Sequence, residues 1–122
     1  MILIDTSIWV DHFGKADGSL AALLDDGLAL AHPFVIGELA LGNLPRRQEF
    51  LADMELLPKA VVATPAEFAP FIERHELYGS GLGYVDAHLL MSTYLTEEAV
   101  LWTRDKRLRA VAERLGVAAD LS

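Results

Sequence analysis

Short apolar runs recur along the chain, and none of them is long enough to form a helix. They lie at residues 1–4, 28–31, 60–63, 99–102 and 117–119, bounded by Gly, Pro or polar residues. Runs of this length are typical of buried strands. The segments between them have helical features, so strands alternate with helices along the chain. This alternation predicts an α/β fold with a mainly parallel sheet that helices cover on both sides.

Helix start and stop residues support this alternation. One helix is predicted between an N-cap at Ser19 and a stop at Gly27, and another between Pro33 and Gly42. Further helices are predicted at about 7–13, 46–56, 66–78, 83–96 and 105–115. The last of these begins at an Asp cap and stops before a glycine.

Length and composition favour one domain over residues 1–122. A hydrophobic content of 52% is ample for a single core in a chain of this size. No run approaches the roughly 18 apolar residues of a membrane helix, so we expect a soluble, cytoplasmic protein without membrane contact. The chain has no cysteine, which excludes disulfides, thiolate zinc sites and cysteine nucleophiles. A metal site would have to use oxygen or histidine ligands.

Two carboxylates lie just after strand candidates. Asp5 directly follows the first apolar run, and Asp105 comes two positions after the strand candidate VLWT at 100–103. Ligands and reacting groups of parallel α/β sheets gather beyond the carboxyl ends of strands, so both acids are candidate site residues. Asp5 is equally well explained as a helix N-cap, because Asp, Thr and Ser at 5–7 can satisfy free backbone donors, and for Asp105 the cap is the stronger alternative. Both interpretations stay open at this stage.

Two further carboxylates lie in predicted helices among apolar residues. Glu38 is the only polar side chain between Pro33 and Asn43, and Asp86 has apolar or glycine neighbours three and four positions away. We therefore expect both to lie on inner faces of their helices, where an unpaired carboxylate is costly. A buried salt bridge is the alternative explanation. The segment GSGLG before Asp86 lacks the Lys of phosphate-binding loops and is interpreted as a flexible turn.

Four acids at one edge of a sheet would repel one another unless a cation neutralised them. Their hard oxygen ligands favour Mg²⁺ or Mn²⁺. Such an ion can activate water and stabilise the charge on a phosphodiester under attack, which indicates a phosphodiesterase. The neighbouring hydroxyls can position the water or a carboxylate, although turn hydroxyls are commonly just caps; they belong to Thr6, Ser7 and Thr103. The four histidines have no metal-binding spacing and are interpreted as structural or surface residues.

The charge of the chain is unevenly distributed. A net charge of −8 argues against binding nucleic acid by a general basic surface. Residues 104–114 nevertheless contain five basic residues against two acidic ones, a local charge of +3. The basic residues are Arg104, Lys106, Arg107, Arg109 and Arg114. They can lead a nucleic-acid strand toward the acids, or they can be an ordinary solvated helix face.

Four segments taken together resemble the PIN-domain ribonucleases, and in detail the VapC-like toxins of bacterial toxin–antitoxin pairs. They are MILIDTSIWVDHF, HPFVIGELALGNL, GLGYVDAHLL and VLWTRDKRL, and they extend over essentially the whole chain. The resemblance implies a three-layer sandwich with a parallel five-stranded sheet of strand order 3-2-1-4-5, which places the ends of strands 1 and 4 side by side. It also implies an acidic catalytic site for RNA, with Mg²⁺ or Mn²⁺ as cofactor, formed by Asp5, Glu38, Asp86 and Asp105.

The resemblance further implies two protein partners. One is a second copy of the chain, in a homodimer, and the other is a cognate antitoxin with a segment bound near the acids. The apolar helices at FVIGELALGNL and RRQEFLADMELL have more apolar surface than one core is expected to bury. The alternative is that these helices simply pack on their own sheet.

Two other classes of protein fit the residues less well. A receiver-like phosphoacceptor module would need a pair of acids after strand 1 and an acceptor Asp at a middle strand end, whereas one acid follows strand 1 and Asp86 lies in a helical pattern. A non-catalytic α/β protein that only binds a partner is the third possibility. A metal-dependent RNA cleavage assay distinguishes these classes. The sequence does not specify which RNA would be cut.

Overall fold

The computed structural model describes residues 1–121, which contain three strands separated and followed by seven helices. The elements are β1 (Ile2–Ile4), α1 (Thr6–Gly14), α2 (Gly18–Asp25), β2 (Ala29–Leu30), α3 (Pro33–Leu41), α4 (Arg47–Leu56), α5 (Pro65–Arg74), α6 (Tyr84–Leu95), β3 (Val100–Trp102) and α7 (Lys106–Arg114). This order confirms an α/β fold.

The sheet is parallel, with β1 in the centre and the order β2-β1-β3. Five strands were predicted, but the segments at 60–63 and 117–119 do not form strands within the described residues. A single parallel bridge is found at each place, Ala31 with Lys59 directly before the first segment and Leu101 with Ala118 in the second. The backbone hydrogen bonds involve only Ala31 at the first bridge and only Leu101 at the second on the sheet side, so pairing does not extend into a ladder. The five-stranded sheet and its full order are therefore not confirmed.

Most helix limits agree with the prediction to within a few residues. The predicted cap of α2 is wrong: the N-cap is Asp17, whose carboxylate accepts from the backbone N–H groups of Ser19 and Leu20. Asp17, two residues before Ser19, is the N-cap because its negative charge interacts favourably with the helix N-terminus. Gly27 ends the segment with φ of +69°, a conformation that glycine adopts without strain.

The core lies around the central strand. Leu3 and Ile4 of β1 are fully buried, and Leu89 and Leu90 of α6 are buried with them. Burying side chains of this size stabilises the fold by roughly 1.5–3 kcal/mol each. Helix α6 packs on β3 and on its neighbours α5 and α7, which fixes the position of its N-terminal end relative to the sheet.

The register of β1 and β3 brings the carboxyl ends of both strands together. Ile4 lies opposite Trp102, and the N–H of Asp5 donates to the carbonyl of Trp102 at 3.0 Å. The residues that follow the two strands, Asp5 and Thr103, are consequently neighbours although 98 positions separate them. The sheet thus brings together the two strand ends that Asp5 and Asp105 follow.

Candidate functional site

Asp5 lies at the N-cap position of α1, but its side chain does not cap the helix. The backbone is extended there, with φ −67° and ψ 154°, and the carboxylate accepts no bond from the helix backbone. Its Oδ2 instead accepts from Ser7 Oγ at 2.6 Å and from Thr103 Oγ1 at 2.7 Å. The side chain is buried at the end of β1. A charge at this place is therefore held by two hydroxyls, and the capping interpretation of Asp5 is wrong.

Asp105 does cap its helix. Its Oδ1 accepts from the backbone N–H of Leu108 at 2.9 Å, and its own N–H donates to Thr103 Oγ1 at 3.0 Å. The residue is exposed. Thr103 is buried and connects the two strand ends, because its hydroxyl donates to the Asp5 carboxylate and accepts from the Asp105 backbone. Within residues 1–121, the Asp105 Oδ2 accepts no hydrogen bond.

Glu38 is exposed, which corrects the expectation that it lies on an inner face. The core face of α3 needs only Val35, Ile36 and Leu39, so the helix can turn Glu38 outward although its other neighbours are apolar. Thr6 at the start of α1 donates from Oγ1 to Glu38 Oε1 at 2.7 Å. This contact ties Glu38 to the residue directly after Asp5.

Asp86 lies in the first turn of α6 and is half-buried. The N–H of Gly83 donates to its Oδ2 at 3.3 Å. Burial raises the pKa of Asp86 above its ordinary value, and the charges of Asp5, Asp105 and Glu38 raise it further, whereas the Gly83 bond acts in the opposite direction. The three other acids thus lie near enough to Asp86 for their charges to act on it, and the ion pairs among residues 1–121 use other acids.

The four carboxylates share one pattern of hydrogen bonding. In each, one oxygen accepts from a neighbouring donor and the other accepts nothing within residues 1–121. The oxygens without a donor are Asp5 Oδ1, Glu38 Oε2, Asp86 Oδ1 and Asp105 Oδ2. Carboxylates oriented in this way are suited to a hard cation such as Mg²⁺. In the described part of the chain, however, no three acidic or histidine side chains stand close enough together to hold an ion as they are placed.

The basic segment contains residues of two kinds. Arg104 forms ion pairs of 2.7 Å with Asp11 and with Asp17, and its hydrogen bond lowers the pKa of Asp17. Arg109 binds Glu113 and the carbonyl of Leu121. These two arginines therefore hold other parts of this protein. Lys106 and Arg107 are exposed, and within residues 1–121 neither has an ion-pair partner.

The histidines serve the interior of the protein or its loops. His32 is fully buried, where its Nε2 meets Ser92 Oγ at 2.9 Å and its Nδ1 accepts from the N–H of Phe34. Burial, with a smaller contribution from His88, lowers the pKa of His32 to about 4. His88 stacks on Phe68 at a centroid distance of 4.2 Å. His12 accepts from the N–H of Asp17.

Sequence reasoning missed two parts of this arrangement. The first is the Gly83 N–H that orients Asp86, although an acid three residues into a helix is the signature of half a capping box. The second is the attachment of Arg104 to Asp11 and Asp17, for which the sequence offers no spacing rule, because the contact joins distant segments.

Comparison with known proteins identifies the family. Residues 2–114 match the model of the PIN domain. Ribonuclease VapC32 of Mycobacterium tuberculosis, in strains CDC 1551 / Oshkosh and ATCC 25618 / H37Rv, is 48% identical over 118 residues, which are 97% of this chain and 95% of the relative. The match includes the strand ends and helices that carry all four acids. The chain therefore belongs to the PIN-domain family and, within it, to the VapC-like ribonucleases.

Proposed function

We propose that this protein is a metal-dependent endoribonuclease and the toxin of a toxin–antitoxin pair. The observation that carries the proposal is the shared hydrogen-bonding pattern of Asp5, Glu38, Asp86 and Asp105, in which each acid is oriented and keeps one oxygen without a donor. The name of the relative, a ribonuclease, gives independent support. We propose residues 1–122 as a single nuclease domain that acts in the cytoplasm.

The four carboxylates would hold Mg²⁺ or Mn²⁺ through those oxygens. Their donor set fits such an ion, since it consists of hard oxygens, and their mutual repulsion favours a cation among them. When bound, a divalent cation supplies Lewis acidity that stabilises charge on a phosphodiester attacked by water. The approach of the carboxylates to ligand distance would accompany metal binding, because repulsion among them is relieved only then.

The protein's own residues would provide orientation. Ser7 and Thr103 fix the Asp5 carboxylate from two sides, so that its Oδ1 is directed away from both hydroxyls. Thr6 holds Glu38 in the same way. Supporting hydrogen bonds of this kind typically contribute tenfold to a hundredfold to metal affinity or activity. Lys106 and Arg107 would attract the RNA backbone, with Arg104 and Arg109 in smaller roles because they bind other groups.

We propose that the exposed apolar surface of α3 and α4 meets the protein partners. Leu41 is 91% exposed and Leu56 is 84% exposed, at the ends of two helices predicted to have uncovered apolar surface. A homodimer and a cognate antitoxin are the proposed occupants. No helix of the described residues is long and apolar enough to cross a membrane. A dimer by light scattering at micromolar concentration is expected, and a monomer would contradict it.

The decisive assay is RNA cleavage by purified protein. We expect cleavage with Mg²⁺ or Mn²⁺, loss of cleavage in EDTA, and recovery when the metal is returned in excess. Cleavage that persists unchanged in EDTA would overturn metal dependence. Expression of the chain alone should arrest growth, and co-expression of its cognate antitoxin should restore it. A host unharmed by an active, soluble enzyme would contradict the toxin assignment.

A further inference from the structure

A groove of about 280 Å³ lies beside the candidate acidic site, between the end of α5 and the start of α6. We call it the tyrosine groove. Its walls are the loop 79–83 and the side chains of Phe68, Ile72, Leu77, Tyr78, Tyr84 and Ala87. Tyr78 is 63% exposed and Tyr84 is 61% exposed, so two aromatic side chains border the opening of a largely apolar groove.

The loop of the tyrosine groove contacts both the acidic site and the basic segment. At its end, the Gly83 N–H donates to the Asp86 carboxylate. In its middle, Gly81 lies against Arg107, which follows Asp105 by two positions; a Cβ at 81 would be 3.0 Å from Arg107 Nη1. Gly81 also has φ of +84°, so its backbone conformation and this close approach both favour glycine.

Tyr84 is held in a defined orientation. Its ring packs on Phe68 at a centroid distance of 5.0 Å and meets His88 edge-on at 4.5 Å, while much of the side chain remains open to solvent. A supported and exposed ring is the platform on which single-stranded nucleic acids stack a base. The Arg107 guanidinium, which lies against Gly81 of the same loop, provides a cation for a phosphate.

We infer that the tyrosine groove binds an unpaired nucleotide next to the cleaved phosphodiester, with its base on Tyr84 and its phosphate near Arg107. This inference rests on the proposed ribonuclease function and adds a nucleotide subsite outside the four acids, formed by Tyr84 and Arg107. Continuity with the carboxylates and the cation at Gly81 favour an RNA strand over a protein segment as occupant. A base-paired nucleotide cannot present its face to the ring, so duplex RNA is excluded from the groove.

A second groove on the same two helices offers a matched control. It has a volume of about 360 Å³ and lies between α5 and α6, and it also includes one tyrosine and one arginine, Tyr94 and Arg74. Tyr94 is 43% exposed, and its ring packs on Phe71. None of the four acids lines this groove. Its variants therefore show how much RNA binding falls when an exposed aromatic ring or a charge is lost away from the acidic site.

The test measures binding of a short fluorescent single-stranded RNA by anisotropy, in protein that carries Asp5→Asn so that cleavage does not interfere. Tyr84→Ala should raise Kd roughly tenfold to a hundredfold, the range expected for loss of one stacked base. Tyr84→Phe keeps the ring and should bind as the parent does. Arg107→Gln should weaken binding and reduce the slope of log K against log salt by about 0.7. Tyr94→Ala and Arg74→Gln should bind as the parent does.

Two outcomes would overturn the inference: unchanged RNA binding by Tyr84→Ala, or an equal loss in Tyr94→Ala. Unchanged binding would assign the groove to another partner, such as a protein segment. A duplex of the same sequence should be bound without dependence on Tyr84. The proposed function is tested separately by the wild-type cleavage assay, so cleavage with a Tyr84-independent KM rejects the groove alone, and absence of any cleavage rejects the nuclease.

Discussion

Asp5 and Asp105 occupy equivalent places in the fold and are held in different ways. Each follows a strand of the parallel sheet and stands at the N-cap position of the next helix. Asp105 is exposed, and one of its oxygens caps α7 through the N–H of Leu108. Asp5 is buried, does not cap α1, and is held by the hydroxyls of Ser7 and Thr103.

The difference separates an acid that caps its own helix from an acid that needs another explanation. The Asp105 carboxylate accepts from a backbone N–H only three residues away, so helix capping alone is enough to explain an acid at this position. The carboxylate of Asp5 is satisfied by side chains from two segments, one of them 98 positions away. Burying an ionised group is costly, and a helix cap does not require it. Asp5 is therefore the acid for which a purely structural explanation is weakest.

The largest expected effect is that of Asp5→Asn on RNA cleavage. The amide oxygen can still accept from both hydroxyls, so the fold should persist, but the charge available to a metal is lost. We expect cleavage to fall at least about 100-fold, since even supporting groups around a metal are worth tenfold to a hundredfold. The measurement is the initial rate with Mn²⁺, alongside the melting temperature. Wild-type activity in this variant would show that Asp5 is only structural.

Thr103→Val should have the next largest effect, because Thr103 joins the two acids. Valine removes the bond to Asp5 and leaves the Asp105 N–H without its acceptor. We expect cleavage to fall roughly tenfold to a hundredfold and unfolding free energy to fall by about 1–3 kcal/mol. Thr103→Ser retains the hydroxyl and is the control. Equal cleavage rates for the valine and serine variants would show that the Thr103 hydroxyl does not support cleavage.

Variants of Asp105 should separate its cap from its proposed role in the site. Asparagine caps as well as aspartate, so Asp105→Asn should keep the wild-type stability, whereas Asp105→Ala should lose about 1 kcal/mol in urea unfolding. Both should lose cleavage, because neither has the charge. An active Asp105→Asn enzyme would show that Asp105 only caps α7, unlike the role proposed for Asp5.

The smallest effect concerns the stability of Asp86→Asn without metal, and the sign of this change is informative. The pKa of Asp86 is raised in the folded state, so the stability from its protonation is present below the ordinary value of 3.8 and is lost as pH rises through the folded value. Without metal, Asp86→Asn should therefore be more stable than wild type at neutral pH, by less than about 1 kcal/mol after solvent screening. Urea unfolding across pH should show this gain disappear in acid. A loss of stability at neutral pH would indicate a structural salt bridge.

The sequence predicted the α/β fold with a parallel sheet, because short apolar runs are local features. It also singled out four isolated acids as a candidate site, and this assignment stays a prediction. It did not predict the exposure of Glu38, since the choice of the buried face of α3 depends on what Val35 and Leu39 meet in the core. Thr103 was recognised as a neighbour of Asp105, but its bond to Asp5 depends on the register of β1 with β3. The two further strands of the predicted sheet were not confirmed, because apolar runs do not reveal how far a ladder extends.

Metal binding by Asp5 tests the central claim most directly. Calorimetric titration of Mn²⁺ into the purified protein should give saturable binding that Asp5→Asn weakens by at least about tenfold. Asp11→Asn is the matched control, because Asp11 lies on the same helix α1 and pairs with Arg104 outside the four acids. We expect Asp11→Asn to bind Mn²⁺ as the wild type does. Equal affinity in wild type and Asp5→Asn would contradict the assignment of the buried strand-end carboxylate as a metal ligand.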